Sequence, residues 1–343
     1  MSAVLLKHLE QSNTETAKRL ETDIYVDNIL SSVKDEKEAV TYYTEARKLM
    51  LQGGFNLRSW TSNNQNLREL AEKENVLDTD KETKILGMRW NVNKDELSYA
   101  QHTISSPMKE NNAITKREIL RKSSKIFDPL GLLSPVSIRA KILIQNLWKG
   151  KYDWDEPLPE NAQQEWIQLA KDIEDATGTT FPRYYSVKNS RSLHVFVDAS
   201  MKAYGAVAYL QDDRNTALVM AKTRVAPVKE LTLPQLELMA AVIGARLVHH
   251  LRDTLEYKDI TLWSDSQIVL QWLKTSKLLK RFISNRIGEI KQLTINCNWK
   301  YCPTNCNPAD LLTRGMNAKQ FMENSLWKYG PEWLTTKNMY TQM

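Results

Sequence analysis

The sequence predicts an α/β fold with a mixed sheet and flanking helices, and three observations lead to this prediction. Apolar residues alternate before an acid in two short segments, Leu193–Asp198 and Ile260–Asp265, as in strands that end at an acidic residue. Ala206–Leu210 follows as another short apolar strand. Between them, residues 235–252 place apolar side chains at helical spacing. This alternation of strands and helices is typical of an α/β domain.

The composition limits the classes of protein to which this chain can belong. The chain has 343 residues, of which 42% are hydrophobic, so we expect two or three domains with packed cores. Three cysteines do not make a disulfide framework in so long a chain, which favours a reducing compartment. No apolar run is long enough to span a bilayer, and Glu10 and Glu15 come too early for a signal peptide. The net charge of +6 permits nucleic-acid binding without diagnosing it.

The first hundred residues predict a small mixed region. Apolar residues flank an acidic turn in Ile24–Leu30, which indicates a hairpin with Asp27 at its tip. Lys37–Leu51 has helical spacing and is followed by two glycines. Ile85–Trp90 and Glu96–Tyr99 read as two strands around a polar turn.

A helical block follows. Thr115–Glu118 is a capping box that starts a helix, Ser134–Pro135 starts a second, and Asn161–Ala176 has the spacing of a third. The residues of this block do not suggest catalysis, so on its own pattern it is a helical linking domain.

Four acids occupy ordered positions in the second half of the chain. Asp198 and Asp265 end predicted strands. Glu237 lies in the first turns of the helix that the Thr232–Gln235 cap begins. Asp310 opens a helix for which Asn307 is the expected N-cap. The order is therefore strand acid, helix acid, strand acid, helix acid.

This pattern suits metal-assisted cleavage of a phosphodiester. Two divalent ions can hold the attacking water and the leaving oxygen, and Mg²⁺ prefers carboxylate and water oxygens. Clustered carboxylates repel one another when no cation is present. The alternative is that these are four ordinary surface acids.

Basic residues lie between the third and fourth acids. They include Lys274, Lys277, Lys280 and Arg281. A single helix with Leu273, Leu278, Ile283 and Ile287 inside would turn these cations outward. They are either a solvated helix face or a surface that contacts the phosphates of a nucleic acid. Arg314 follows Asp310 by one helical turn and is a further candidate phosphate contact.

The order of the acids resembles the ribonuclease H fold. Several short sequence words resemble, more closely, the BEL/Pao class of LTR retrotransposon polyproteins, and together they cover nearly the whole chain. The words are Phe127–Pro135, Leu193–Ser200, Ala203–Ala206, Ala221–Pro227, Leu236–Leu238, Trp263–Ser266, Asn307–Asp310 and Thr313–Gly315.

The resemblance implies a domain organisation and an activity. The expected parts are a partial reverse transcriptase palm at 1–110, a helical thumb and connection at 111–186, a ribonuclease H-like domain at 187–320 and a tail at 321–343. The expected reaction is hydrolysis of the RNA strand of RNA–DNA hybrids with two Mg²⁺ ions, or with Mn²⁺. Asp198, Glu237, Asp265 and Asp310 would be the catalytic metal ligands.

Polymerase activity is not expected. Tyr25–Asn28 resembles the Tyr-Val-Asp-Asp word of reverse transcriptases, which implies that Asp27 binds metal. Asn28 replaces the second acid, and an amide is a poorer ligand for a hard cation. We also expect no fingers region in the few residues before the hairpin.

Partners and alternatives complete the hypothesis. The resemblance implies an RNA–DNA hybrid and other parts of a retrotransposon polyprotein as partners, no membrane, and a cytoplasmic location, including virus-like particles. One alternative is a nucleic-acid-binding remnant without catalysis. Another is an aspartic peptidase, but its Asp-Thr-Gly or Asp-Ser-Gly word is missing, since Asp175–Gly178 carries an insertion.

Overall fold

The computed structural model describes residues 3–12, 14–26, 28–80, 83–85, 87–101, 103–105, 114–185, 192–212, 215–255 and 259–334. The chain forms two compact units, residues 1–97 and 98–343. Across the described residues, no helix combines the length and the hydrophobicity that a membrane crossing requires.

The first unit contains four helices and short strands. They are α1 (Ala3–Ser12), α2 (Glu15–Asp23), β1 (Ile24–Tyr25), β2 (Asn28–Ile29), α3 (Glu36–Gln52), α4 (Gln65–Lys73), β3 (Thr83–Ile85), β4 (Met88–Asn91) and β5 (Glu96–Tyr99), whose last residues belong to the second unit. Strands β1 and β2 pair antiparallel, as the predicted hairpin requires. Helix α3 extends the predicted helix by one residue at each end, and Asp35 is its N-cap.

The second unit carries the remaining elements. They are α5 (Lys116–Ser123), α6 (Ser134–Lys149), α7 (Glu160–Thr177), β6 (Phe181–Pro182), β7 (Ser192–Ala199), β8 (Ala203–Gln211), β9 (Thr216–Val225), α8 (Leu233–Leu255), β10 (Asp259–Ser264), α9 (Gln267–Lys274), α10 (Arg281–Leu293), β11 (Asn298–Tyr301), α11 (Asp310–Arg314), α12 (Ala318–Glu323) and α13 (Ser325–Tyr329).

A five-stranded mixed sheet organises this unit. Its strand order is β11-β10-β7-β8-β9. Strand β10 is parallel to both β7 and β11, whereas the β7–β8 and β8–β9 pairs are antiparallel. Strand β7 is buried over Leu193–Asp198 because helices cover both faces of the sheet. The predicted mixed sheet with flanking helices is therefore confirmed.

Helix α8 is buried on two sides. Its residues Leu236, Ala240 and Ile243 pack on the sheet, and Leu238 and Ala241 pack with α9 and α10. The helix lies very close to β7 at Gly244, where a Cβ atom would come within 2.4 Å of Val197 Cγ1. A glycine is therefore needed there for the helix to approach the strand that carries Asp198.

Helix α6 packs directly on strand β9 of the sheet, and α5 and α7 pack on α6. The loop before α6 pairs with β9, since Ala221 N–H donates to the Leu130 carbonyl at 2.8 Å. The partly buried carboxylate of Asp128 holds this loop by accepting the N–H groups of Leu132 and Leu133, each at 2.9 Å. The predicted thumb and ribonuclease H-like parts thus belong to one compact unit, 98–343.

Candidate active site

Two of the four predicted acids meet at one edge of the sheet. In the parallel β7–β10 pair, Val197 lies opposite Ser264, so the next residues, Asp198 and Asp265, occupy equivalent positions on neighbouring strands. The carboxyl ends of parallel strands form the edge at which α/β proteins place ligands. The register of this single strand pair therefore brings the first and third acids together.

The other two acids reach the same edge from helices. Glu237 lies in the second turn of α8, and its carboxylate accepts a hydrogen bond from the hydroxyl of Ser266, which caps α9 directly after Asp265. Asp310 is the first residue of α11 and pairs with Arg314 one turn later, with 2.8 Å between Oδ1 and Nε. Arg314, predicted as a phosphate contact, thus contacts an acid of the site in this structure.

Threonine hydroxyls hold both strand acids. Thr313 Oγ1 donates to Asp198 Oδ2 at 2.7 Å, and Thr304 Oγ1 donates to Asp265 Oδ2 at 2.9 Å. Both threonines belong to the segment after β11, far along the chain from the acids they contact. No sequence pattern assigns these contacts to the two threonines. Thr313 is the first residue of the Thr313–Gly315 word, which follows the Asn307–Asp310 word.

The electrostatics link the acids to one another. The pKa of Asp198 is raised to about 7, mainly by burial and also by the nearby charges of Asp265 and Asp310, while the hydrogen bond from Thr313 opposes the increase. Burial also raises the pKa of Glu237, and the charge of Asp265 adds to this increase. Burial likewise raises the pKa of Asp265, and the charge of Asp310 adds to that increase. Burial raises the pKa of Asp310 against the opposing effect of Arg314. Since four partly desolvated carboxylates repel one another, a nearby cation would stabilise their charged forms.

The donor chemistry fits a hard divalent cation. The converging groups are carboxylate oxygens, which Mg²⁺ and Mn²⁺ prefer. In the side-chain positions seen for the described residues, no three His, Cys, Asp or Glu side chains are close enough to hold an ion. Asp265 is coupled to all three of the other acids, since its charge raises the pKa of Asp198 and of Glu237, and the charge of Asp310 raises its own pKa.

The predicted basic surface lies on the connection between α9 and α10. Its members Lys274, Lys277, Lys280 and Arg281 are all exposed. The prediction of one helix with Leu278 inside is wrong: α9 ends at Lys274, α10 begins at Arg281, and Leu278 is fully exposed. Leu279 packs on the α8–α10 core instead, because the extended connection turns alternate side chains to opposite sides.

Asn307 has a different role from the predicted one. It is not the N-cap of α11, which is Ala309. The fully buried side chain of Asn307 donates to the Val197 carbonyl at 3.0 Å and accepts from Ala309 N–H at 3.1 Å. A turn therefore separates Asn307 from the helix, and its amide ties the segment of Asp310 to strand β7, beside Asp198.

The remaining predicted site residue cannot be placed. Asp27 lies outside the described residues. Its neighbours Tyr25 and Asn28 pair across the antiparallel β1–β2 hairpin.

Comparison with known proteins agrees with the architecture. Residues 115–266 match the family model "Pao retrotransposon-like RNaseH-like domain", a range that includes Asp198, Glu237 and Asp265. No curated protein matches.

Solved structures match over a wider range. A foamy viral protease-reverse transcriptase in complex with an RNA/DNA hybrid is 13% identical, with a TM-score of 0.53 over 84% of this chain and 37% of that chain. The foamy viral protease-reverse transcriptase dRH with ds DNA is 15% identical, with a TM-score of 0.51 over 86% of this chain and 48% of that chain. RNase H1 from Halobacterium salinarum NRC-1 is 17% identical over 35% of this chain, with a TM-score of 0.29.

These structural similarities concern the fold, and this chain spans less than half the length of the foamy viral chains it matches. The ribonuclease H-like fold and the resemblance to Pao retrotransposons are both confirmed. Over residues 115–266, this chain is similar to the Pao retrotransposon-like RNaseH-like domain family.

Proposed function

We propose that the protein hydrolyses the RNA strand of RNA–DNA hybrids in a reaction that depends on Mg²⁺. The observation that carries this proposal is the proximity of four acids at one sheet edge: Asp198, Glu237, Asp265 and Asp310. The charges of Asp265 and Asp310 raise the pKa values of their neighbours in this set. A cluster of this kind is costly without a cation and useful with one.

The acids have separate tasks in this mechanism. When bound, two divalent ions supply an activated water and neutralise the charge that develops on the leaving oxygen. Asp198 and Asp265 are the best-fixed ligands because adjacent parallel strands and two threonine hydroxyls hold them. Glu237 and Asp310 complete the ligand set from the two helices. Arg314 pairs with Asp310 in this structure, and it would be available to a phosphate if Asp310 held a cation.

The substrate proposal rests on the surface and on the fold relatives. Phosphate contacts by Lys274, Lys277, Lys280 and Arg281 would hold a duplex without reading its sequence. The foamy viral relatives are complexes with an RNA/DNA hybrid or with ds DNA. Recognition of a hybrid would depend on A-like shape and 2′-hydroxyl groups.

The wider assignments are part of the same proposal. They are a partial palm at 1–110, a thumb and connection at 111–186, a ribonuclease H-like domain at 187–320, a place in a retrotransposon polyprotein and a cytoplasmic location. We expect no templated synthesis by this chain, and a primer-extension assay checks that expectation.

The decisive experiment is cleavage of a labelled RNA–DNA hybrid in Mg²⁺ and in Mn²⁺ by the parent and by Asp265→Asn. The variant removes a ligand charge and leaves the basic surface unchanged. We expect cleavage of the RNA strand by the parent only, with equal hybrid binding by both proteins.

Three results would contradict the proposal. Full activity of Asp265→Asn would mean that the site is misassigned. Binding without cleavage by the parent would indicate a nucleic-acid-binding remnant. Pepstatin-sensitive cleavage of a peptide library would indicate a peptidase instead.

A further inference from the structure

The hydroxyl of Thr313 lies between two of the four acids. Thr313 is fully buried, and its Oγ1 lies 2.7 Å from Asp198 Oδ2 and 3.0 Å from the carbonyl oxygen of Asp310. A hydroxyl has one hydrogen to donate. The carboxylate is closer and charged, and charge-assisted hydrogen bonds are the stronger kind, so the hydrogen belongs on Asp198.

The backbone around Thr313 is held from the sheet side. The Ser200 hydroxyl donates to the Thr313 carbonyl at 3.1 Å, and the Thr223 hydroxyl donates to the Leu312 carbonyl at 3.3 Å. These bonds place α11 against the ends of β7 and β9. The backbone from which the Thr313 side chain extends is therefore fixed, and the bond to Asp198 sets the direction of its hydroxyl.

A missing side chain leaves room for this contact. Gly205 lies opposite Asp198 in the β7–β8 pair, and a Cβ atom on it would meet Leu312 Cδ1 at 3.2 Å and the Lys222 carbonyl at 2.7 Å. With glycine there, α11 can approach the strand acid closely enough for a direct hydrogen bond.

We propose that Thr313 is the positioning residue for Asp198, fixing one carboxylate oxygen so that the other faces the metal ions. Because Thr313 belongs to the helix that begins with Asp310, the same bond also sets the separation of these two ligands. This inference rests on the proposed function, since it assigns Thr313 a role at that metal site.

The test compares pairs of variants that differ in the hydroxyl group. Thr313→Val keeps the shape and removes the hydroxyl, whereas Thr313→Ser keeps the hydroxyl. Thr313→Ala and Thr313→Ser form a second pair that differs by one oxygen atom, for use if valine prevents folding. The control is Thr177→Val in α7, where a buried hydroxyl donates to the Glu174 carbonyl of the same helix at 2.7 Å.

The readouts are Mn²⁺ binding by calorimetry without nucleic acid, and kcat and KM for hybrid cleavage. Loss of a hydrogen bond to a charged group predicts roughly 10- to 100-fold weaker Mn²⁺ binding by Thr313→Val. We expect a matching loss in kcat at limiting metal and an unchanged KM for the hybrid. Thr313→Ser is expected to restore both, and Thr177→Val to resemble the parent.

The outcomes separate this inference from the proposed function. Parent-like Mn²⁺ binding by Thr313→Val, or equal losses in Thr313→Ser and Thr313→Val, would overturn the positioning role. A parent that binds Mn²⁺ through a Thr313-dependent site but cleaves no hybrid would refute the nuclease proposal and support the positioning role. A parent that binds no Mn²⁺ would overturn both.

Discussion

The ion pair between Arg139 and Asp172 provides the sharpest test of how the helical layer supports the site. Arg139 in α6 donates to Asp172 Oδ2 in α7 at 2.6 Å and to the Met316 carbonyl, just after α11, at 3.2 Å. Asp172 also accepts Ala318 N–H at 3.2 Å. One buried pair therefore joins two helices of the layer to the segment that follows Asp310.

Replacing Arg139 with methionine keeps most of the apolar stem and removes the charge. The side chain of Asp172 is only 7% exposed. Without Arg139 it would keep the hydrogen bond from Ala318 N–H and lose the one from the guanidinium. Removing one partner of a buried ion pair costs roughly 3–5 kcal/mol. Since the Arg139 side chain is 28% exposed, we expect the lower end, about 3 kcal/mol. In a unit of this size that corresponds to a melting temperature lower by about 6–12 °C.

The matched control is Arg117→Met. Arg117 also pairs with an aspartate, Asp155, at 2.7 and 2.9 Å, but the two side chains are 60% and 70% exposed. Exposed pairs contribute about 0–1 kcal/mol. The two pairs have similar bond lengths, but Arg139 is less exposed and also donates to the Met316 carbonyl. A difference in stability between the variants therefore reports on burial together with this carbonyl contact.

The assays are thermal unfolding followed by circular dichroism, and hydrogen exchange of segment 310–320. We expect faster exchange of the Ala318 amide in Arg139→Met and an unchanged rate in Arg117→Met. Equal small decreases in melting temperature for both variants, with Ala318 still protected, would refute the reasoning.

Two further predictions concern pH and salt. Because the pKa of Asp198 rises from 3.8 to about 7 on folding, the metal-free protein binds this proton more tightly than the unfolded chain does. The stabilising contribution is therefore present below about pH 4 and lost as the pH rises through 7. In urea unfolding, Asp198→Asn should lose less stability than the parent between pH 4 and pH 8. An identical pH dependence of stability in the two proteins would contradict the assignment. Replacing Lys277 and Lys280 with Gln should weaken hybrid binding and lower its salt slope by about one unit per lost phosphate contact. An unchanged slope would mean that these lysines form a solvated face.

Local patterns were sufficient to predict the elements that carry the acids. Short-range spacing produces the strand pattern of apolar residues before Asp198 and Asp265. It also produces the helix cap that precedes Glu237. Strand and helix preferences act over that range. For this reason the predicted bounds of α6 and α7 differ by no more than one residue from those observed at their N-terminal ends.

Two local predictions failed where packing outweighed pattern. Leu278 fits a helical repeat but has no core to pack against, and the connection between α9 and α10 exposes it fully. Asn307 has the composition of an N-cap, yet its amide bonds to the Val197 carbonyl. The packing of Leu279 on the core formed by α8 and α10 decided the first conformation, and the bond to the Val197 carbonyl decided the second.

The sequence by itself determined which residues are acidic, on which element each lies, and in what order they occur, because these properties follow from short-range spacing. The tertiary structure alone decided that Val197 and Ser264 are in register, which places Asp198 beside Asp265. It also decided that Thr313, 115 residues after Asp198, donates to that acid. Such contacts depend on how strands pair and helices pack across the whole unit, and no local spacing encodes them.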